Sequence, residues 1–247
     1  MYLLNRSPDR GASFEVACVV TSDDTFDEEV RVERRGIPTL VHPIRRFFEK
    51  RGTSLYRDAG ARREYDAETV KRIEPYFPDV LLLDGYLYLV TRPLLAAFPN
   101  RIINLHFSDL TLRQPGGGPR FPGIRSVRDA IAAGCPETRA TVHLVNERPD
   151  DGAPIVRSWP FPVAPLVEDM LAEGASNTFG SYVYAHQQWM MQTASGPLMA
   201  AALRLIATGA VRLRDLAREP RADAGAWQLD EQGSLLALHT EPVFARA

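Results

Sequence analysis

The chain has 247 residues, 45% hydrophobic and 24% charged, with a formal net charge of −2. Such values describe a globular protein with a substantial core, and they give no electrostatic case for binding nucleic acid or an anionic membrane. Cys18 and Cys135 lie far apart with no second cysteine near either, so neither a disulfide framework nor a metal site is expected.

The start, MYLLNRSPDRG, lacks the long apolar core of a secretory signal, so a cytoplasmic protein is expected. Phe14 to Val20 (FEVACVV) reads as a buried strand, and the polar Thr21–Asp24 suits the cap of a helix through Arg35, closed by Gly36. Pro38 to Ile44 fits a second short strand, and Lys50 to Ala61 a surface loop. The arginine pairs Arg34-Arg35, Arg45-Arg46 and Arg62-Arg63 are interleaved with acidic residues and read as solvated faces. Tyr65 to Phe77 places Val70, Ile73, Tyr76 and Phe77 at helical spacing, with Pro78 just beyond.

Val80 to Leu83 is an apolar run that suits a strand buried on both faces. A short helix follows, started by Thr91 with Pro93 behind it. Ile102-Ile103 then opens a strand ending in Asn104-Leu105-His106, where alternation puts Asn104 and His106 on one face. Gln114 to Gly123 is dense in Gly and Pro and must be an irregular loop. Ser126 to Gly134 reads as a short helix. Thr141 to Val145 alternates like a strand, as does Ile155 to Val163 after a turn at Asp150-Asp151-Gly152.

Asn177 to Thr208 is helical in pattern, with a break or kink expected at Gly196-Pro197. The stretch LMAAALRLIATGAV within and beyond it is too short, and too interrupted by Arg204, to span a bilayer. Phe179, Tyr182, Trp189 and Met190 read as core packing, and Trp227 to Leu238 as a small hairpin around Glu231-Gln232-Gly233. Strands alternating with helices imply an α/β fold, a mostly parallel twisted sheet flanked by helices and Rossmann-like, followed by a C-terminal helix and hairpin. Residues 1–208 are expected to form that domain and 209–247 an extension.

A neutral amide and an imidazole projecting together from a strand's C-terminal end polarise a carbonyl and move a proton. In open α/β sheets, ligands bind at such ends. On these residues alone, a capped strand end with a hydrogen-bonded histidine is an equal reading. The wider order of pieces adds to it. RIINLHFSDL, a loop ending in Phe121-Pro122-Gly123, a short helix, TVHLV and DDGAPIV resemble the folate-dependent formyltransferases from about Phe14 to Trp189. Within that family the chain resembles the phosphoribosylglycinamide formyltransferases.

The resemblance implies that Asn104, His106 and Asp151 are catalytic and that no metal takes part. It implies 10-formyltetrahydrofolate as co-substrate, held largely by backbone groups beside Leu83, Gly85, Tyr86, Leu87, Tyr88 and Leu89. The turn contributing Val145, Asn146, Glu147 and Asp150 would close over it, and His143 reads as a core histidine. The implied partners are small molecules: folate and an acceptor amine, phosphoribosylglycinamide in purine biosynthesis. A homodimer is compatible with them. Transfer to water (a deformylase), to a sugar amine, or a catalytically silent folate-binding relative are the alternatives.

The chain also departs from that family. Its alignable part starts at the second strand, without the first strand and phosphate loop, which leaves a neighbour in the sheet unpaired. Phe107 replaces a Pro, Asp109 an apolar residue and Tyr88 an Arg, while Ala185-His186 stands for a Glu-His pair. The loop through Gly116-Gly117-Gly118 is longer than usual.

Overall fold

The computed structural model describes residues 3, 7–23, 36–54, 57–218 and 226–238. The helix expected through Arg35 lies outside them. Strands β1 (Val19–Thr21) and β2 (Thr39–Val41) pair in parallel as a separate two-stranded sheet. β1 is shorter than the apolar run suggests because its partner strand starts only after Pro38, which has no N–H to give to a ladder. Ile44 then opens helix α1 (Ile44–Glu49).

Helix α2 (Ala59–Ile73) begins well before Tyr65, because the Asp58 carboxylate accepts from the Ala61 N–H at 2.8 Å and caps it. It runs into a 3-10 turn at Glu74–Tyr76, which Phe77 ends at φ 48°. The solvated-face reading of Arg62 is overturned here. Its side chain is buried on α2, as is that of Asp66.

A six-stranded sheet forms the centre. Its strands are β3 (Leu81–Leu83), β4 (Ile102–His106), β6 (Thr141–Leu144), β7 (Pro154–Arg157), β9 (Trp227–Leu229) and β10 (Leu235–Ala237), in spatial order β10-β9-β7-β6-β4-β3. β3 and β4 pair in parallel around helix α3 (Arg92–Ala97), as a βαβ unit should. From β4 onward the sheet is mixed rather than mostly parallel: β4–β6 and β6–β7 are antiparallel, and β7–β9 is parallel. A return as short as that between β6 and β7 permits only antiparallel pairing. β3 is one of the two edge strands among the described residues, with β10 at the other side, so its three leucines are half-buried instead of covered on both faces.

The strand expected from Ile155 to Val163 is split. Pro160 has no N–H to donate, and Ser158 turns its Oγ to the Ala140 N–H, ending β7. The chain resumes as β8 (Phe161–Pro162) against β5 (Glu137–Thr138). Helix α4 (Ser126–Ala132) lies between β4 and β5 in the chain. The predicted hairpin is β9–β10, its turn bound by Asp230 Oδ1 accepting from the N–H groups of Gln232 and Ser234.

Helix α5 (Leu166–Ala172) leads into α6 (Ser176–Ala207), and α7 (Leu213–Arg218) follows. The break expected at Gly196-Pro197 is absent: α6 is continuous through Pro197. Ala194, Leu198, Met199, Ala201 and Ala202 are buried against the sheet on either side of it, and that packing holds the helix through one lost hydrogen bond. Phe179 and Met190 are core residues, whereas Trp189 is 43% exposed and meets Phe161 edge-on at 4.8 Å. None of the described helices is long and apolar enough to cross a membrane.

Candidate active site

β4 and β6 run side by side in a register that places Asn104 opposite His143 and His106 opposite Thr141. The turn from β6 to β7 then brings Asp150 and Asp151 back over the same strand ends. Asp150 adopts φ 55°, the left-handed region that Asp enters more readily than most residues.

His143 is buried, and its tautomer follows from its partners. Nδ1–H donates to the Leu144 carbonyl at 2.9 Å, so Nε2 accepts from the Asn104 amide at 3.3 Å. Burial is the main cause that pulls its pKa down to about 4, with the neighbouring His106 and Arg113 adding to it and Asp150 opposing. A neutral His143 thereby fixes which end of Asn104 is nitrogen and leaves the second N–H of that amide for a ligand. The histidine read as a core residue is buried as expected, and from there it hydrogen-bonds Asn104. Nothing in the spacing of TVHLV could have revealed this, because the contact depends on strand register.

His106 has two acceptors around its ring. Nδ1 lies 3.5 Å from Asp150 Oδ1, and Nε2 lies 3.4 Å from the Phe121 carbonyl. Burial lowers its pKa, and Asp150 first and the Phe121 carbonyl second act to raise it. The net direction is down, so the ring is neutral near pH 7 and able to take a proton, after which the carboxylate stabilises the charge.

The Gly/Pro loop covers this group. Asp150 Oδ2 accepts from the Gly123 N–H at 2.7 Å, so Phe121 and Gly123 pack the loop's end against both the imidazole and its carboxylate. Asp151 faces elsewhere. Its Oδ1 accepts from Arg113 Nη1 at 2.9 Å, and Arg148 Nη1 is 3.7 Å from Oδ2. Thus Asn104, His106, His143 and Asp150 are brought together, with Asp151 bound to a loop arginine beside them.

The stretch expected to hold a co-substrate leaves the sheet after Leu83. Among the described residues no backbone N–H from Gly85 to Val90 reaches a carbonyl, and Leu87 and Leu89 are exposed. Leu83, Val90 and Val145 pack on the same buried group of Ile73, Leu94, Phe98 and Ile102, which sets the stretch beside the β6–β7 turn. Within that turn, Asn146 Oδ1 accepts from the Arg148 N–H at 2.9 Å, and Glu147 is exposed. The backbone N–H groups of this stretch thus lack a ladder partner beside the turn, while the Leu89 carbonyl accepts from Arg62 at 2.7 Å. Asp109 is tied into a structural network with Arg157 (2.9 Å) and Arg139 (3.7 Å), and buried His186 bonds Thr138 Oγ1 at 2.7 Å.

His42 is also buried, stacked on Tyr65 at 4.1 Å, and burial first brings its pKa down to about 4. An unfolded histidine takes up a proton near pH 6.5, whereas His42 and His143 resist it until about pH 4. Stability is therefore fully present above pH 6.5 and is lost as the pH falls toward 4. Urea melts at pH 7 and pH 5 should show that loss, and His42→Gln should reduce it.

An amide, two imidazoles and a carboxylate gathered in this way have the chemistry to polarise a carbonyl and move a proton. A model of the family described as "Formyl transferase" matches residues 2–170, and the chain belongs to that family. A glycinamide ribonucleotide transformylase 1 from Symbiobacterium toebii superposes with a TM-score of 0.59 at 27% identity, covering 80% of this chain and 76% of that one. A formyltetrahydrofolate deformylase from Escherichia coli (strain K12) is 32% identical over 154 residues, 62% of this chain and 46% of that protein. A phosphoribosylglycinamide formyltransferase from the same strain is 30% identical over 103 residues, 42% of this chain and 44% of that protein. The chain thus spans less than half the length of these curated relatives.

Proposed function

We propose that this protein transfers the formyl group of 10-formyltetrahydrofolate to an amine, with phosphoribosylglycinamide as the first acceptor to test. The observation that carries the reading is the Asn104–His143 hydrogen bond between β4 and β6 beside the pair of His106 on β4 and Asp150 on the β6–β7 turn. The bound folate supplies an activated formyl carbon. Asn104 offers its free amide N–H to the formyl oxygen, where negative charge develops. His106 accepts the proton released by the attacking nitrogen and returns one to the departing folate nitrogen. Asp150 holds the ring and balances its charge, while Asp151, clamped by Arg113, shapes the acceptor side. The open backbone row from Gly85 to Val90 binds the folate ring, and the turn carrying Val145, Asn146 and Glu147 closes over it.

Transfer to water is the second reading, favoured by the deformylase relative at 32% identity. The same four side chains serve it, with water in place of the amine. One experiment separates the two. Purified protein is given 10-formyltetrahydrofolate with and without phosphoribosylglycinamide, and formylated amine and free formate are both measured. Amine-dependent turnover supports the transferase, formate release without amine supports the deformylase, and no turnover of either kind refutes both. In the active assay Asp150→Asn should lower kcat/KM about a hundredfold, and Asp151→Asn clearly less. The reverse order would reassign the carboxylate.

A further inference from the structure

The stretch between β3 and α3 has no ladder of its own, yet one ion pair on α2 grips it at three points. Arg62 is 7% exposed and Asp66 0%, and Arg62 Nη1 donates to Asp66 Oδ1 at 2.6 Å. Arg62 Nη2 donates to the Tyr86 hydroxyl at 2.6 Å and to the Leu89 carbonyl at 2.7 Å. Asp66 Oδ2 accepts from the Thr91 N–H at 2.7 Å and from its hydroxyl at 2.6 Å. Between these points Tyr86 and Tyr88 meet edge-to-face at 5.4 Å, and Tyr88 packs on the small core of Ile44, Phe47, Phe48, Ala61 and Tyr65.

A buried ion pair is a weak source of stability, because apolar residues of similar volume do as well. Its distinctive product is geometry. Here the planar guanidinium and the carboxylate fix a backbone that no neighbouring strand fixes.

We propose that Arg62 and Asp66 are positioning residues for the co-substrate: they hold the backbone groups of Gly85 to Val90 at the spacing a folate ring reads. The proposal rests on the folate reading above. Neither residue touches the reacting atoms, so the consequence falls on donor binding and not on the chemical step.

Two variants test it. The double variant Arg62→Met/Asp66→Leu removes both charges together and keeps the volume, so that no lone buried charge remains. Tyr86→Phe removes a single hydrogen bond. The readouts are steady-state KM for 10-formyltetrahydrofolate and for the acceptor, kcat, calorimetric affinity for a 5,8-dideazafolate analogue, thermal midpoint, and amide hydrogen exchange across residues 84–91. The double variant should raise the folate KM and the analogue Kd about tenfold or more, and Tyr86→Phe about threefold. Acceptor KM and kcat should stay within about twofold, with exchange in the stretch accelerated.

A merely structural pair would move the thermal midpoint and leave the folate KM alone, and that outcome overturns the proposal. Should the double variant fail to fold, Tyr86→Phe decides the question by the same KM split and exchange. Failure of the unmutated protein to bind the analogue would sink the folate reading and this proposal together. Equal binding by wild type and variants would sink the positioning role alone.

Discussion

His106→Ala is expected to lower kcat/KM for formyl transfer about a thousandfold. A positioned general acid–base group contributes on the order of a hundred- to ten-thousandfold, and His106 is the imidazole nearer to Asp150, at 3.5 Å against 3.9 Å for His143. The pH dependence should carry the same signature. Burial lowers the ring's pKa more than Asp150 raises it. The acid limb of kcat/KM in the unmutated protein should therefore bend below pH 6.5, the ordinary value for histidine. Asp150→Asn removes the group that favours the imidazolium and should move that limb lower still. Asn104→Ala, by contrast, should cost about a hundredfold without moving the limb, since an amide does not titrate. Activity in His106→Ala within tenfold of wild type would remove the histidine from the mechanism.

Gly152→Ala should be the most damaging of the conservative substitutions, costing more than about 3 kcal/mol in unfolding free energy. A Cβ built at that position lies 1.6 Å from the Leu144 carbonyl oxygen and 2.6 Å from its carbon. Both are backbone atoms, so no rotamer change relieves the clash. The β6–β7 return must open instead, and opening it draws Asp150 away from His106 and disturbs the carbonyl that receives the His143 N–H. Gly85 makes the useful control. It sits at φ +64° with nothing within 4 Å of an added Cβ, so Gly85→Ala should cost only about 1 kcal/mol. Urea denaturation of the two variants checks the contrast. A loss below about 1 kcal/mol in Gly152→Ala would refute the close approach as a constraint.

What could be read from the residues was local. Helical spacing reveals α2, the Gly/Pro content reveals the loop before α4, and alternation places Asn104 and His106 together. What could not be read depends on partners distant in the chain. β3 is half-exposed because it stands at an edge, a fact about its neighbours and not about Leu81-Leu82-Leu83. His143 joins the site through its register opposite Asn104. The order of roles in Asp150-Asp151 turns on the left-handed backbone at Asp150, which aims the first carboxylate at His106 and leaves the second to Arg113. Arg62 looks like one more solvated charge until Asp66, Tyr86 and Leu89 are seen around it.

Asn104, His106, His143 and Asp150 all come from the segment that runs from β4 to β7, which also contains α4 and β5. The stretch from Gly85 to Val90 and the ion pair that holds it come from upstream, and the long helix α6 from downstream. Such a division puts the clustered side chains on one segment and the elements around them on two others. Changes in the flanks can therefore reshape the surroundings of these four side chains while the segment that holds them together stays as it is.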